Sequence, residues 1–190
     1  HDALPICPTL YVVMGMIGAG KSTVARALAD ALAVEVLSSD RIRKEKFGAA
    51  DPEKAFGKGR YRAEARTRIY AAMLLSAQEK IQAHRSAVLD ATFSQKKQRG
   101  EAWRLAEDFG AGIVFIECTC PDDVLQRRLK KRETAPSLSD ARLSLLASFK
   151  AHYQPPEELP EPLRLGADTS RPLAALVADL FIASRRIYPS

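Results

Sequence analysis

Cysteine is scarce in this sequence, with three residues in 190. An odd number excludes a fully paired disulfide framework. Cys118 and Cys120 alternate along an expected strand and share a face, but no second ligand pair completes a zinc site with them or with Cys7. All three are expected as buried, reduced thiols, which points to a reducing cytosol. Long apolar runs are also missing. None approaches the roughly 20 residues a membrane span needs, and residues 1–9 lack the basic start and apolar core of a secretory signal. No internal repeat or low-complexity segment is present. The chain opens at His1 rather than at methionine, as a processed product or an excised piece of a longer protein does.

What is present suits one globular domain spanning residues 1–190. Apolar residues make up 46% and charged residues 27%, and a chain of this size buries about 70% of its unfolded surface. The net charge of +6 accommodates a polyanionic partner, although any protein that binds ATP also needs basic residues. Apolar runs alternate with helical patterns throughout. Strands are expected at 10–14, 34–37, 87–89, 113–119 and, weakly, 163–165. Helices are expected at 22–32, 40–47, 63–84, 95–108, 121–131, 140–152 and 172–184. This rhythm predicts an α/β fold, a mostly parallel sheet with helices on both faces. Residues 48–59 and 154–162, rich in glycine and proline, read as loops.

The sequence GMIGAGKST at 15–23 lies between the first strand and the first helix. It matches G-x-x-x-x-G-K-[ST] in full and in the required context. Glycines at 15, 18 and 20 let backbone N–H groups turn toward phosphate oxygens, with Ala19 and Thr23 completing the nucleotide-binding run. The helix that follows adds its positive N-terminal end. Lys21 can reach the β- and γ-phosphates, and the Ser22 hydroxyl can ligate Mg²⁺. Val24, Leu28, Ala31 and Leu32 are the expected buried stripe of that helix.

Three clusters bear on whether the phosphate is moved. In SSDRIRK (38–44), Asp40 and Arg43 are three apart and face the same way on a first helical turn. Asp40 could take a proton from an attacking hydroxyl while Arg43 grips an anionic group on the acceptor. The plainer alternative makes Asp40 a helix cap and Arg43 a solvated charge. In AVLDATF (87–93), Asp90 ends an apolar strand, where an acid can orient Mg²⁺ through water; alternatively it belongs to the turn that starts the next helix. In DVLQRRLKKR (123–132), five of the last six residues are basic, which by default is a solvated helix face. At about 100° per residue from Leu125, Leu129 falls near 40°, Arg132 near −20° and Arg128 near −60°, whereas Arg127, Lys130 and Lys131 fall on the far side. Arg128 and Arg132 therefore flank the apolar stripe.

From about Leu10 to Glu158 these residues resemble P-loop kinases of the polynucleotide 5′-kinase and zeta-toxin-like superfamily. The motifs that carry the likeness are GxxxxGKST, SSDxxR, LDATF with Arg99 downstream, and the paired-arginine lid. The sequence RYRAEARTRIYAAML (60–74) is similar to the ATP-binding half of bacterial proteins whose other half resembles an aminoglycoside phosphotransferase, which implies a fused or partner phosphotransferase domain. The resemblance implies a five-stranded parallel sheet with the P-loop strand central and a lid at about 121–152. It implies ATP and Mg²⁺ on Lys21 and Ser22, and donor phosphates on Arg128 and Arg132. It implies Asp40 as base and Arg43 as the clamp on an acceptor phosphate, so that a nucleic-acid 5′ end is the expected acceptor. A sugar, nucleoside or antibiotic is the alternative acceptor, and a non-catalytic ATP-binding module is the rival from another class. The N-K-x-D guanine reader of GTPases and the second nucleotide-sensing segments of ATP-driven motors are both absent from the sequence. A cytoplasmic location without a membrane partner is expected.

Overall fold

The structure, a computed structural model, describes residues 7–47, 60–133 and 145–188. Five strands form one all-parallel sheet: β1 (Thr9–Gly15), β2 (Glu35–Ser38), β3 (Ala87–Asp90), β4 (Gly112–Thr119) and β5 (Arg164–Asp168), in the order β2-β3-β1-β4-β5. Among the described residues, seven helices connect and flank them: α1 (Lys21–Leu32), α2 (Ser39–Phe47), α3 (Arg60–Gln82), α4 (Lys96–Asp108), α5 (Asp122–Glu133), α6 (Leu146–His152) and α7 (Leu173–Ile187). The expected α/β class, strand number and central P-loop strand are all observed.

All seven residues of β1 are buried, as an apolar strand covered on both faces requires. Its alternate side chains feed two cores. Leu10, Val12 and Met14 pack with Met73 of α3, Phe93 and Phe115. Tyr11 and Val13 pack with Leu28 of α1 and with Leu176 and Leu180 of α7. Burial of each such aliphatic side chain contributes about 1.5–3 kcal/mol, so the end of β1 is fixed from both sides. β1 lies between β3 and β4, where the chain's order reverses, and the carboxyl ends of parallel strands open a crevice at that point.

Several sequence expectations shift. The buried stripe of α1 is Val24, Ala25, Leu28 and Ala29, and Leu32 is only partly buried. Ala31 is exposed, because at about 100° per residue it falls to one side of a stripe centred between Leu28 and Ala25. The weak fifth strand runs through Asp168, since its ladder with Phe115–Thr119 extends the pairing beyond the apolar residues. The expected loop at 48–59 and the residues 140–144 expected to open a helix lie outside the described residues, and α6 covers the remainder. Of the cysteines, Cys118 is buried, Cys120 is half-buried and Cys7 is exposed, where its thiol donates to the Gly110 carbonyl at 3.2 Å. Cys7 precedes β1 and so escapes the core. Burial pushes the Cys118 thiol up to about 12, which leaves it inert at neutral pH. No helix among the described residues is long and apolar enough to cross a membrane.

Candidate active site

The turn after β1 takes the conformation its glycines permit, with φ of 134° at Gly15, 77° at Gly18 and 86° at Gly20. At Gly18 a Cβ would come within 2.9 Å of Leu129 Cγ, so the absent side chain lets the α5 helix rest on the loop. At Gly20 a Cβ would meet Arg128 Nη1 at 3.2 Å and Thr169 Cβ at 3.3 Å. Gly20 is also the N-cap of α1; no side chain caps that end and no acid occupies its first turn. The positive end of the helix is thus left to an external anion. Lys21 folds over the loop and donates from Nζ to the Met16 carbonyl at 2.7 Å.

Asp90 closes β3 in register with Val13 and Ser38 and is 6% exposed. Burial raises its carboxyl above the ordinary carboxylate range. The Ser22 hydroxyl, the Lys21 and Arg26 charges and the Ser38 hydroxyl act in the opposite sense. A buried carboxylate beside a serine hydroxyl is a hard oxygen pair of the kind Mg²⁺ takes, usually with waters and phosphate oxygens completing the shell. The next helix starts only at Lys96, with Gln95 as its N-cap, so Asp90 does not belong to that turn.

Asp40 sits in the first turn of α2, which begins at Ser39. Asp40 and Arg43 are both half-buried, which sets aside the picture of a solvated arginine. The charges of Asp40 and Arg66 both act on Tyr70, a buried phenol whose pKa is raised chiefly by desolvation. The Tyr70 hydroxyl lies 3.2 Å from Thr92 Oγ1 and accepts the Phe93 N–H at 2.9 Å, while the Gly15 N–H donates to the Thr92 carbonyl at 3.2 Å. A chain of hydrogen bonds therefore runs from Tyr70 of α3 to the first glycine of the P-loop.

Arg99 is not at the site surface. It is 1% exposed and donates to the Phe93 carbonyl at 2.8 Å and to both Glu158 oxygens at 2.5 and 3.0 Å. Its guanidinium ties the loop after β3 to the segment returning toward β5.

On α5, Leu125 and Leu129 are buried and join Ile17 and Leu146 in a small cluster. Arg128 is half-buried and reaches Thr169, with Nη1 2.8 Å from Oγ1 and Nη2 2.7 Å from the carbonyl. Arg127 pairs on the surface with Asp123, and Lys130 and Lys131 are exposed, as their helical angles predict. The Arg132 side chain lies outside the described residues. Sequence reasoning missed Tyr70, the structural task of Arg99, and Thr169. The motif DTS at 168–170, directly after a strand, was the available signal for the last of these.

The structure thus brings Gly15, Gly18, Ala19, Gly20, Lys21, Ser22, Asp90 and Arg128 to one end of the sheet, with Thr23 exposed on α1 beside them. A family model described as an AAA domain matches residues 10–156. The chain belongs to this AAA domain family. An uncharacterised protein of Mycobacterium tuberculosis is 31% identical over 145 residues, which is 75% of this chain and 29% of the relative. The AAA domain chain therefore spans under a third of the length of the curated relative it matches. Among solved structures, a gluconokinase from Sinorhizobium meliloti is 21% identical with a TM-score of 0.65, covering 97% of this chain and 95% of its own. The Mycobacterium tuberculosis APS kinase, in complex with AMPPNP and APS, is 17% identical with a TM-score of 0.65, covering 96% of this chain and 99% of its own. The fold of this AAA domain is that of the P-loop kinases.

Proposed function

We propose that the chain transfers the γ-phosphate of ATP to a hydroxyl of a small anionic acceptor. The observation that carries this reading is the convergence of Lys21, the Ser22–Asp90 pair and the half-buried Asp40–Arg43 turn at the carboxyl ends of β1, β2 and β3. Lys21 and Arg128 stabilise charge on the transferring phosphoryl group. Asp40 accepts the acceptor's hydroxyl proton, and Arg43 holds the acceptor's negative group. Ser22 and, through water, Asp90 would hold Mg²⁺, which when bound neutralises phosphate charge. A half-buried Asp40 and Arg43 suit a molecule that enters the crevice, and a gluconokinase and an APS kinase in complex with APS share the fold.

A polynucleotide 5′-hydroxyl is the second reading. It is favoured by the exposed basic residues Arg41, Lys46, Arg66 and Arg68 that α2 and α3 carry. Both readings are tested by one rate comparison with γ-labelled ATP across sugar acids, nucleosides, 3′-nucleotides, neutral sugars and a 5′-hydroxyl oligonucleotide. The expected result is that an anionic small molecule reacts fastest and that Arg43→Ala removes its advantage over a neutral analogue. An oligonucleotide that reacts faster, with affinity falling steeply as salt rises, selects the polynucleotide reading. Equal rates with Arg43 dispensable refute the acceptor clamp.

A further inference from the structure

The side chain that joins the lid to the P-loop belongs to none of the motifs assigned above. Thr169 directly follows β5. Its Oγ1 lies 2.8 Å from Arg128 Nη1, 2.8 Å from the Ala19 carbonyl and 3.1 Å from the Thr119 carbonyl. Its backbone N–H donates to the Thr119 carbonyl at 2.8 Å, and its own carbonyl accepts Arg128 Nη2 at 2.7 Å. A hydroxyl carries one hydrogen and two acceptor sites. Both neighbouring carbonyls can only accept, so the Thr169 hydrogen goes to them, chiefly to Ala19, and its lone pair takes the Arg128 N–H. One hydroxyl therefore reads the position of the P-loop backbone and transmits it to the guanidinium.

The clamp does not exhaust the arginine. Guanidinium has five N–H donors, and Thr169 takes two, which leaves three for an anion. The anchored group lies beside Gly20, the residue at which the P-loop passes into α1. We propose that Thr169 is the positioning residue for Arg128, holding the guanidinium against Gly20 before a nucleotide arrives. This rests on the phosphotransferase reading above. Rotamer freedom that a free arginine would lose on binding is already lost in the folded chain, which favours phosphate capture and transfer.

The test is a double-mutant cycle with Thr169→Val and Arg128→Ala, alone and combined, with Thr169→Ser as the conservative variant. Valine removes only the hydroxyl and keeps the backbone contacts to Arg128 and Thr119. Two readouts are used: ATP·Mg²⁺ binding by calorimetry, and single-turnover hydrolysis of ATP to ADP and phosphate, in which water is the surrogate acceptor. Thr169→Val is expected to slow turnover about tenfold, the scale of one charge-assisted hydrogen bond. Serine is expected to restore the rate to within about twofold, and valine should cost nothing further once Arg128 is gone. An equal loss from valine in both backgrounds overturns the positioning role and leaves the phosphotransferase reading intact. An Arg128→Ala enzyme that binds and turns over like the wild type overturns the positioning role together with the charge-stabilising role of Arg128, and leaves only the part of that reading carried by Lys21. A wild type that binds no nucleotide at millimolar ATP overturns both. Should Thr169→Val fail to fold, nitrogen-15 NMR of the wild-type guanidinium decides. Restricted rotation at Arg128 without nucleotide supports the clamp, and free rotation refutes it.

Discussion

The P-loop and the lid meet the same space but are held by very different amounts of protein. The P-loop hangs from β1, whose residues are buried in two cores that together include α1, α3, α4 and α7. The lid helix α5 is held by a cluster with four buried members, Ile17, Leu125, Leu129 and Leu146, and by the Arg128 clamp on Thr169. The donor grip is made of backbone geometry and inherits the rigidity of the whole sheet. The lid is made of side chains and rests on a local contact, the kind of region that opens at lower free energy than the core. Ile17 is the hinge of the comparison, since it belongs to the P-loop yet packs with the lid.

The largest expected effect isolates the donor grip. Lys21→Ala should lower turnover by about 10²–10³-fold, the loss typical of one preorganised group stabilising transition-state charge. Its melting temperature should stay near that of the wild type, because the Lys21 amine belongs to no apolar cluster and its bond to the Met16 carbonyl is local to the P-loop. Turnover assays and thermal melts on the same preparation check this. Turnover that survives Lys21→Ala would remove the P-loop from the reaction, whatever the fold.

A pair of cavities then compares the two regions directly. Leu28→Ala, beneath the P-loop, should lower global stability by about 2–5 kcal/mol, as a fully buried leucine does. Leu129→Ala is as fully buried but lies in the small cluster. Its cost should appear first as faster amide exchange and proteolysis across α5, with a smaller loss in global unfolding. Urea denaturation and hydrogen exchange separate the two outcomes. Equal global losses would show that lid and sheet unfold as one unit.

The same contrast explains what the sequence could reveal. The donor grip is contiguous, with residues 15–23 between an apolar strand and an amphipathic helix, so each local signal agrees with the next. β1, α1 and the parallel order followed from periodicity because strands covered on both faces read as apolar runs. Helical angle alone predicts that Arg128 flanks the apolar stripe of α5, and its half-buried position beside Leu125 and Leu129 agrees with that angle. The polar run DTS could mark Thr169 as a residue at a strand end, but its contacts were invisible for a physical reason. Its partners Ala19, Thr119 and Arg128 are 150, 50 and 41 residues away, and contacts at that range leave no periodic trace. Arg99 stood in the sequence only as a basic residue downstream of LDATF, with no role of its own. Its burial depends on Glu158 and Pro155, which only the return of the chain toward β5 brings together. Tyr70, in the middle of a long helix, gave no cue that its hydroxyl would organise the loop at Thr92 and Phe93.

The smallest expected effect concerns Asp90, the buried acid of the donor side. Burial raises the Asp90 carboxyl above its ordinary value of 3.8, although Ser22, Lys21, Arg26 and Ser38 partly oppose it. Folding therefore favours the protonated form. That contribution to stability is fully present below the unfolded value and is lost as pH rises through the higher folded value. At pH 7 the nucleotide-free fold carries a buried charge that it would hold more easily with a cation beside it. Asp90→Asn removes the charge and can keep the hydrogen bonds to Ser22 and Ser38. It should therefore raise the melting temperature at pH 7, by less than either cavity variant lowers it. The gain should shrink toward zero as pH falls below 4, where the wild-type carboxyl is protonated as well. The stabilisation that ATP·Mg²⁺ confers on the wild type should in contrast be reduced in the variant, because a ligand stabilises by its affinity for the folded state. Melts from pH 3.5 to 8, with and without ATP·Mg²⁺, measure both halves. If Asp90→Asn lowers the melting temperature at every pH and leaves the ligand shift untouched, Asp90 is a structural acceptor for Ser22 and Ser38, and the metal belongs elsewhere.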